Sequence, residues 1–147
     1  MRILHLVKTT RGATWALRQM RELVKLGVDV HVVLPSCTGN APDYAAAGII
    51  VHPVDLDLSS KSMVTLPHQI HGFNAILKKI RPDLVHSHFY STTLLMRLAM
   101  RRSRIPRVFQ VPGPLHLEHG FFRTVEIGLA VNNDFWIASC EWTQKKY

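Results

Sequence analysis

Short runs of apolar residues alternate with stretches of helical periodicity from one end of the chain to the other. Residues 2 to 7, 28 to 34, 49 to 54, 83 to 88, 107 to 111 and 135 to 139 are brief and rich in Val and Ile, as strands buried on both faces are. Between the first two, Ala13, Ala16, Leu17, Met20, Leu23 and Val24 recur at three- and four-residue steps, and Gly27 stands where a left-handed cap ends a helix. Leu66, Ile70, Phe73, Leu77 and Ile80 repeat the pattern; Thr65 is a candidate N-cap, Pro67 fits the first turn and Pro82 stops the helix. Leu94, Leu95, Leu98 and Met100 predict a third helix, and Phe122, Val125, Glu126 and Leu129 a fourth. Residues 35 to 47 and 55 to 64 read as loops or short turns.

This alternation predicts an α/β domain: a doubly wound, mostly parallel Rossmann-like sheet of about six strands in the order 3-2-1-4-5-6, with helices on both faces. Such sheets bind ligands at the carboxyl ends of their strands, beside the switch point between strands 1 and 4. Function is therefore expected after Val7, after His88, after Val111 and at Ser139.

Length and charge narrow the classes. At 147 residues the chain is one domain, long enough to bury roughly 70% of its unfolded surface. Lys and Arg number 18 against 10 Asp and Glu, a formal charge of +8, which suits an anionic partner. Cys37 and Cys140 form no Cys-x-x-Cys pair, so neither a zinc site nor a disulfide framework is indicated, and a reducing cytoplasm is expected. No stretch approaches the roughly 20 apolar residues of a spanning helix, and the N-terminal run is too short for a signal peptide. Surface attachment is the membrane option that remains. The chain reaches Tyr147 barely two turns into a helix that Ser139 would cap, which reads as a cut inside a larger protein.

The loop Lys8-Thr9-Thr10-Arg11-Gly12-Ala13-Thr14 opens the first helix. Free amides and the positive end of the helix dipole suit an anion there, and Gly12 lets it approach the backbone. Neither Gly-x-Gly-x-x-Gly nor the phosphate-loop lysine motif occurs, which argues against a nicotinamide enzyme or an ATPase. An ordinary strand-to-helix turn is the plain alternative. His86-Ser87-His88 ends strand 4, and period-two alternation puts both rings on one face, with His88 at the rim and His86 one layer deeper. His116 and His119 flank Glu118 in a Pro- and Gly-containing loop, without the His-Glu-x-x-His order of a zinc protease. His88 and His116 are the catalytic candidates. Thr10, Arg11, Gly12, Tyr90, Gln110, Gly113, Glu118 and Ser139 are the substrate-binding ones, and no residue is assigned to a metal.

Two clusters are weaker signals. Asp55-Leu56-Asp57 follows strand 3, away from the switch point, and reads as loop solvation or turn capping. Arg97, Arg101, Arg102, Arg104 and Arg107 crowd the third helix and its exit. They form a solvated face or, beside Leu94, Leu95, Leu98 and Met100, a contact with anionic lipid head groups. Phe89 and Tyr90 are the only aromatic neighbours, so nucleic acid is not expected.

Met1-Arg2-Ile3-Leu4-His5-Leu6, followed by Leu23-Val24-Lys25-Leu26-Gly27-Val28-Asp29-Val30-His31-Val32-Val33, resembles the opening of family 4 glycosyltransferases of the GT-B fold. Ile80-Arg81-Pro82-Asp83-Leu84-Val85-His86-Ser87-His88, then Ile105-Pro106-Arg107-Val108-Phe109-Gln110-Val111, is similar to that family's fourth and fifth strands. The resemblance implies that residues 1–147 are the N-terminal, acceptor-side domain of such an enzyme, ahead of a C-terminal domain that binds the nucleotide-sugar and carries a Glu-x7-Glu signature. It implies transfer of a sugar from a nucleotide-sugar to a saccharide or lipid-linked acceptor with retention of configuration, in cell-surface polysaccharide or lipopolysaccharide synthesis. No cofactor is implied beyond the donor substrate, and the isolated chain is expected to be inactive.

By position, Gly12 falls on the family's glycine-rich loop near the donor phosphates, His88 on the fourth-strand histidine and Ser139 on the serine ending the last strand. Pro112 and Gly113 stand where many members place a histidine after strand 5. Either His116 takes over that contact or the site is organised differently. The expected location is cytoplasmic, with peripheral contact at the inner face of the membrane through Arg97, Arg101, Arg102 and Arg104. Two other classes stay open: a stand-alone Rossmann-like binding module for an anionic small molecule, and a metal-dependent hydrolase built on His86, His88, His116 and His119. No stoichiometric metal is expected on that four-histidine set.

Overall fold

The computed structural model describes residues 1–56, 64–111 and 119–145. Its elements, in chain order, are β1 (Arg2–Leu6), α1 (Thr14–Lys25), β2 (Asp29–Leu34), α2 (Ala41–Ala46), β3 (Ile50–Pro53), α3 (Leu66–Ile80), β4 (Leu84–Ser87), α4 (Tyr90–Ala99), β5 (Arg107–Val111), α5 (Gly120–Gly128), β6 (Asp134–Ala138) and α6 (Glu141–Gln144). The six strands form one sheet in the order β3-β2-β1-β4-β5-β6, and every neighbouring pair is parallel. The doubly wound α/β sheet read from the sequence is the one the chain adopts.

Two cores sandwich the sheet. On one face Leu4, Leu6, Val33 and Val85 meet Phe73, Ile76 and Ile80 of α3 and Leu95, Met96 and Met100 beside α4. On the other, Val30, Val32 and Leu34 meet Ala16, Leu17 and Met20 of α1 and Ala41 and Tyr44 of α2. Gly27 sits just past α1 at φ +78° and donates to the Val24 carbonyl, as a left-handed terminator does.

Three boundaries differ from the sequence reading. Residues 41–46, expected in a loop, form α2; with Pro42 in its first turn it is too short to display a period. Helix α4 starts at Tyr90, four positions before its first leucine, because Thr92 and Thr93 are fully buried with both hydroxyls donating to the Phe89 carbonyl at 2.9 Å. β4 ends at Ser87, although the His88 amide still donates to Leu6 O at 3.2 Å.

The arginine run needs a larger correction. Arg97 and Arg107 are not on a solvated face: they are 1% and 0% exposed. Arg107 Nε pairs with Asp134 Oδ1 at 2.5 Å, and Arg97 lies 3.5 Å from both Glu126 and Asp134 while donating to the Glu126 carbonyl at 2.8 Å. The Arg97 guanidinium also covers the Trp136 ring, 5.3 Å from its centroid. Four elements thus meet at a neutral cluster of two cations and two anions. Its acidic members lie 27 and 29 positions further along the chain, so local spacing could not reveal the pairing. Arg97 is withdrawn from the membrane-contact set; Arg101, Arg102 and Arg104 are exposed.

Removing one member of a buried ion cluster strands the others without solvent. Asp134→Ala is expected to lower unfolding free energy by about 3–5 kcal/mol. Asp29→Ala, which breaks the Arg2–Asp29 pair with side chains 43% and 41% exposed, is expected to cost under about 1 kcal/mol. Urea titrations of the two variants check this, and equal losses would contradict it.

Candidate functional site

At the carboxyl end of β1 the chain turns through residues 8–13 into α1 under tight local constraint. Gly12 and Ala13 are both left-handed, at φ +71° and +51°. For Ala13 this costs about 1 kcal/mol, so something must hold it. The turn after β2 does so: Asn40 donates its amide to Thr10 O at 2.8 Å and its Nδ2 to Gly12 O at 2.9 Å. Gly39 makes that approach possible, since a Cβ there would overlap the Thr10 carbonyl oxygen. Thr9 completes the loop by accepting from the Arg11 amide at 3.1 Å.

The loop is open on its outer side. Thr10 is half-buried, Arg11 and Gly12 are exposed, and a Cβ on Gly12 would meet nothing within 4 Å. No side chain caps α1, and its first turn holds no acidic residue. The N-terminal dipole is therefore uncompensated by the chain itself. Exposed Lys8 adds positive charge nearby, 5.5 Å over the Phe89 ring.

Beneath this loop lie three histidines. Parallel pairing sets His5 of β1 directly beside His86 of β4, and His88 follows on the same face. His5 and His88 are 0% exposed and His86 is 5% exposed. His5 Nδ1 and His88 Nε2 share a hydrogen bond of 2.9 Å, and the three rings are separated by 4.2 to 5.2 Å. The edge of Trp15, at the start of α1, closes over His88 at 5.1 Å. His88 is therefore not at the rim, as expected; β4 ends before it and α1 folds across it.

Burial sets the charge of this cluster. Desolvation lowers His86 to about 4, and desolvation together with the neighbouring rings holds His5 and His88 well below 6.5. Gln110, from β5, lies alongside His88 and favours its proton without completing a hydrogen bond. All three rings are neutral at pH 7 and serve as hydrogen-bonding groups.

The other expected residues divide. Gln110 joins the His88 side of the site. Tyr90 is turned to another use: its hydroxyl donates to Phe122 O at 3.1 Å and its ring packs edge-on against Phe122, tying α4 to α5. Ser139, at the end of β6, lies 3.1 Å from the Thr143 hydroxyl, and Cys140 holds the N-cap position it was expected to fill. Gly113, His116 and Glu118 lie outside the described residues. His119 is exposed, its ring 5.2 Å from that of Phe122, and among the described residues it does not join the buried histidines. Sequence reasoning missed His5, Trp15, Gly39 and Asn40. The Gly39-Asn40 pair is an ordinary turn signal, but only the β1–β2 pairing gives it a partner.

A six-stranded parallel sheet in the order β3-β2-β1-β4-β5-β6, covered by helices on both faces, defines a Rossmann-like α/β domain. The family model for the glycosyl transferase 4-like domain matches residues 12–147, and the chain belongs to that family. Among solved structures it is similar to sucrose-phosphate synthase from Thermosynechococcus elongatus (16% identity, TM-score 0.71, 99% of this chain and 44% of that one). It is also similar to Acinetobacter baumannii MurG (16%, 0.63, 88% and 39%). A Listeria monocytogenes protein named for UDP-N-acetylglucosamine 2-epimerisation is comparable (16%, 0.68, 99% and 40%). The chain spans less than half the length of each of these structures. No curated protein matches it.

The histidine cluster makes acid stability predictable. An unfolded imidazole takes up its proton at 6.5 and the folded His86 resists to about 4. The unfolded state therefore binds more protons in that window, and stability is retained above pH 6.5 and lost as pH falls through it. From His86 alone the loss by pH 4 is on the order of 3 kcal/mol. Urea midpoints should drop between pH 7.5 and 5, with a shallower slope in His86→Gln; identical slopes would place the acid sensitivity elsewhere.

Proposed function

We propose that this chain is the N-terminal, acceptor-side domain of a retaining glycosyltransferase that moves a sugar from a nucleotide-sugar to a saccharide or lipid-linked acceptor. What carries the reading is the coincidence of the family match over residues 12–147 with an open, positively polarised loop at the sheet's switch point. The donor is held by a second Rossmann-like domain facing the carboxyl strand ends, and the cleft between the two is the reaction site. The 147 residues alone are accordingly inactive.

In this mechanism the leaving diphosphate settles against Gly12, where backbone amides and the α1 dipole meet its growing charge without reorganising. Arg11 and Lys8 supply mobile positive charge at the mouth. His116 and Gln110 are the polar contacts proposed for the reacting sugar or acceptor. His88 supports Gln110 from below, and its ring touches substrate only if Trp15 swings aside. Gly113, Glu118 and Ser139 remain assigned to the acceptor side.

Cell-surface polysaccharide or lipopolysaccharide synthesis fits a lipid-linked acceptor met at the cytoplasmic face of a membrane. Among the described residues no helix is long and apolar enough to cross a membrane. Exposed Arg101 and Arg102 line a cavity of about 560 Å³ with Leu98 and Ala99, and with Arg104 they form the proposed contact for anionic head groups.

Two measurements test this. In the full-length protein, supplied with a panel of nucleotide-sugars and saccharide acceptors, Gly12→Ala should cut kcat/KM at least tenfold while costing only about 1 kcal/mol of stability. Nucleoside diphosphate release that needs no acceptor, or a Gly12→Ala enzyme with undiminished turnover, would point to a different reaction or a different site. Replacing Arg101, Arg102 and Arg104 together by Gln should weaken binding to vesicles containing phosphatidylglycerol by tenfold or more and leave neutral vesicles unaffected; unchanged partition would remove the membrane contact.

A further inference from the structure

We infer that His5, His86 and His88 form a binding site for one divalent transition-metal ion, zinc by ligand chemistry. This goes beyond the transferase reading and does not depend on it. The four-histidine set of the sequence is not assembled among the described residues, but the fold supplies a ligand the sequence could not pair: His5, brought beside His86 by the β1–β4 register. One nitrogen from each ring lies within 4.8 Å of the other two. The centre of such a triangle is no more than about 2.8 Å from each corner, and shifts of under an ångström reach the ~2.1 Å of a zinc–imidazole bond.

Three observations favour an ion there. First, two ligands project from directly paired strand positions and the third lies one residue past the end of β4, its amide still bonded to the Leu6 carbonyl, so their approach is built into the sheet. Second, His5 Nε2, His86 Nε2 and His88 Nδ1 are buried and complete no hydrogen bond. Orphaned nitrogens in one dry cluster are costly to leave unmade; an ion would replace the His5–His88 hydrogen bond, in which one ring's lone pair is engaged, so that each ring could give one nitrogen to the metal and keep its proton on the other. Third, Gln110 lies beside His88 without completing a hydrogen bond, placed to become the outer partner of a ligating ring once the ion fixes that ring's proton. An all-imidazole donor set suits zinc, copper, iron or nickel and excludes the oxygen-seeking magnesium and calcium. Bound there, the ion ties β1 to β4 under the Gly12 loop.

The test uses full-length protein stripped of metal by chelator and titrated with Co2+ alone, read by its visible absorption and by elemental analysis. One Co2+ per chain, displaced by Zn2+, is expected. His5→Gln and His86→Gln should each weaken binding at least tenfold, while Cys37→Ser with Cys140→Ser should not change it. The His86 ring signals in NMR spectra of the unmutated protein should move on adding Zn2+, which keeps the test decisive if a histidine variant fails to fold. Absence of stoichiometric binding, unmoved His86 signals, or affinity that survives both histidine changes would overturn the site and leave the rings to water. Metal content is read without any sugar substrate, so a failed transferase assay and a failed metal titration are separate outcomes.

Discussion

The ligand edge depends on β1 being hydrogen-bonded on both sides, by β2 to its left and β4 to its right. Its two partners come from residues 29–33 and 84–87, so the chain runs outward through β2 and β3 and then returns past its own start through α3. Helices on the outward path cover one face and those on the return path the other. At the carboxyl ends of β1 and β4 the chain therefore departs to opposite faces, and a crevice opens between the departures. The same pairing decides what lies under the crevice. With His5 opposite His86, polar rings are committed to a region sealed by α1, and the residue 8–13 loop is left exposed at Arg11 and Gly12.

A different constraint operates at the far corner. Arg97, Arg107, Glu126 and Asp134 lose nearly all solvent together, and only mutual neutralisation makes that tolerable. Such a cluster adds little stability compared with apolar packing, but it allows one arrangement of α4, β5, α5 and β6 and penalises others. It also changes what the formal charge means. Among the described residues two cations and two anions are removed from the surface in equal number, so their burial leaves the positive excess unchanged. Arg101, Arg102 and Arg104, just past the end of α4, carry part of it undiluted.

What was legible in the sequence is what repeats locally. Val- and Ile-rich strands, the amphipathic faces of α1 and α3 and the Gly27 stop each announce themselves within a dozen positions. Strand order followed from handedness and crossover rules. What could not be read was identity of partners across long separations. Arg97 looked like one more member of a basic run until Glu126 and Asp134 came to meet it. His88 looked like a rim residue because alternation specifies a face but not a depth; depth was decided by Trp15, 73 positions away by numbering. His5, inside an apolar run, gave no local sign of chemistry at all. Of the candidate site, the Gly12 loop lies between β1 and α1 and Gln110 lies beside His88, while Tyr90 joins two helices.

That the histidines stay neutral follows from electrostatic magnitude. Two protonated rings about 5 Å apart would repel by roughly 3 kcal/mol at an effective dielectric of 20, in addition to the desolvation that already lowers each one. The cluster cannot act as a reservoir of positive charge at pH 7. Attraction for an anion must then come from groups that cost nothing to keep charged or polarised. Those are the α1 amides, fixed in direction by the left-handed Gly12-Ala13 pair, and the exposed Lys8 and Arg11. The loop keeps this shape only while that pair stays left-handed, and Ala13 resists it. Asn40 overcomes the resistance by holding Thr10 and Gly12 through their carbonyls, while the Thr9 hydroxyl accepts from the Arg11 amide. The strain at Ala13 and the turn after β2 are thus one device. The β1–β2 pairing that builds the sheet also brings Asn40 to the loop and fixes the loop's backbone at the carboxyl end of β1.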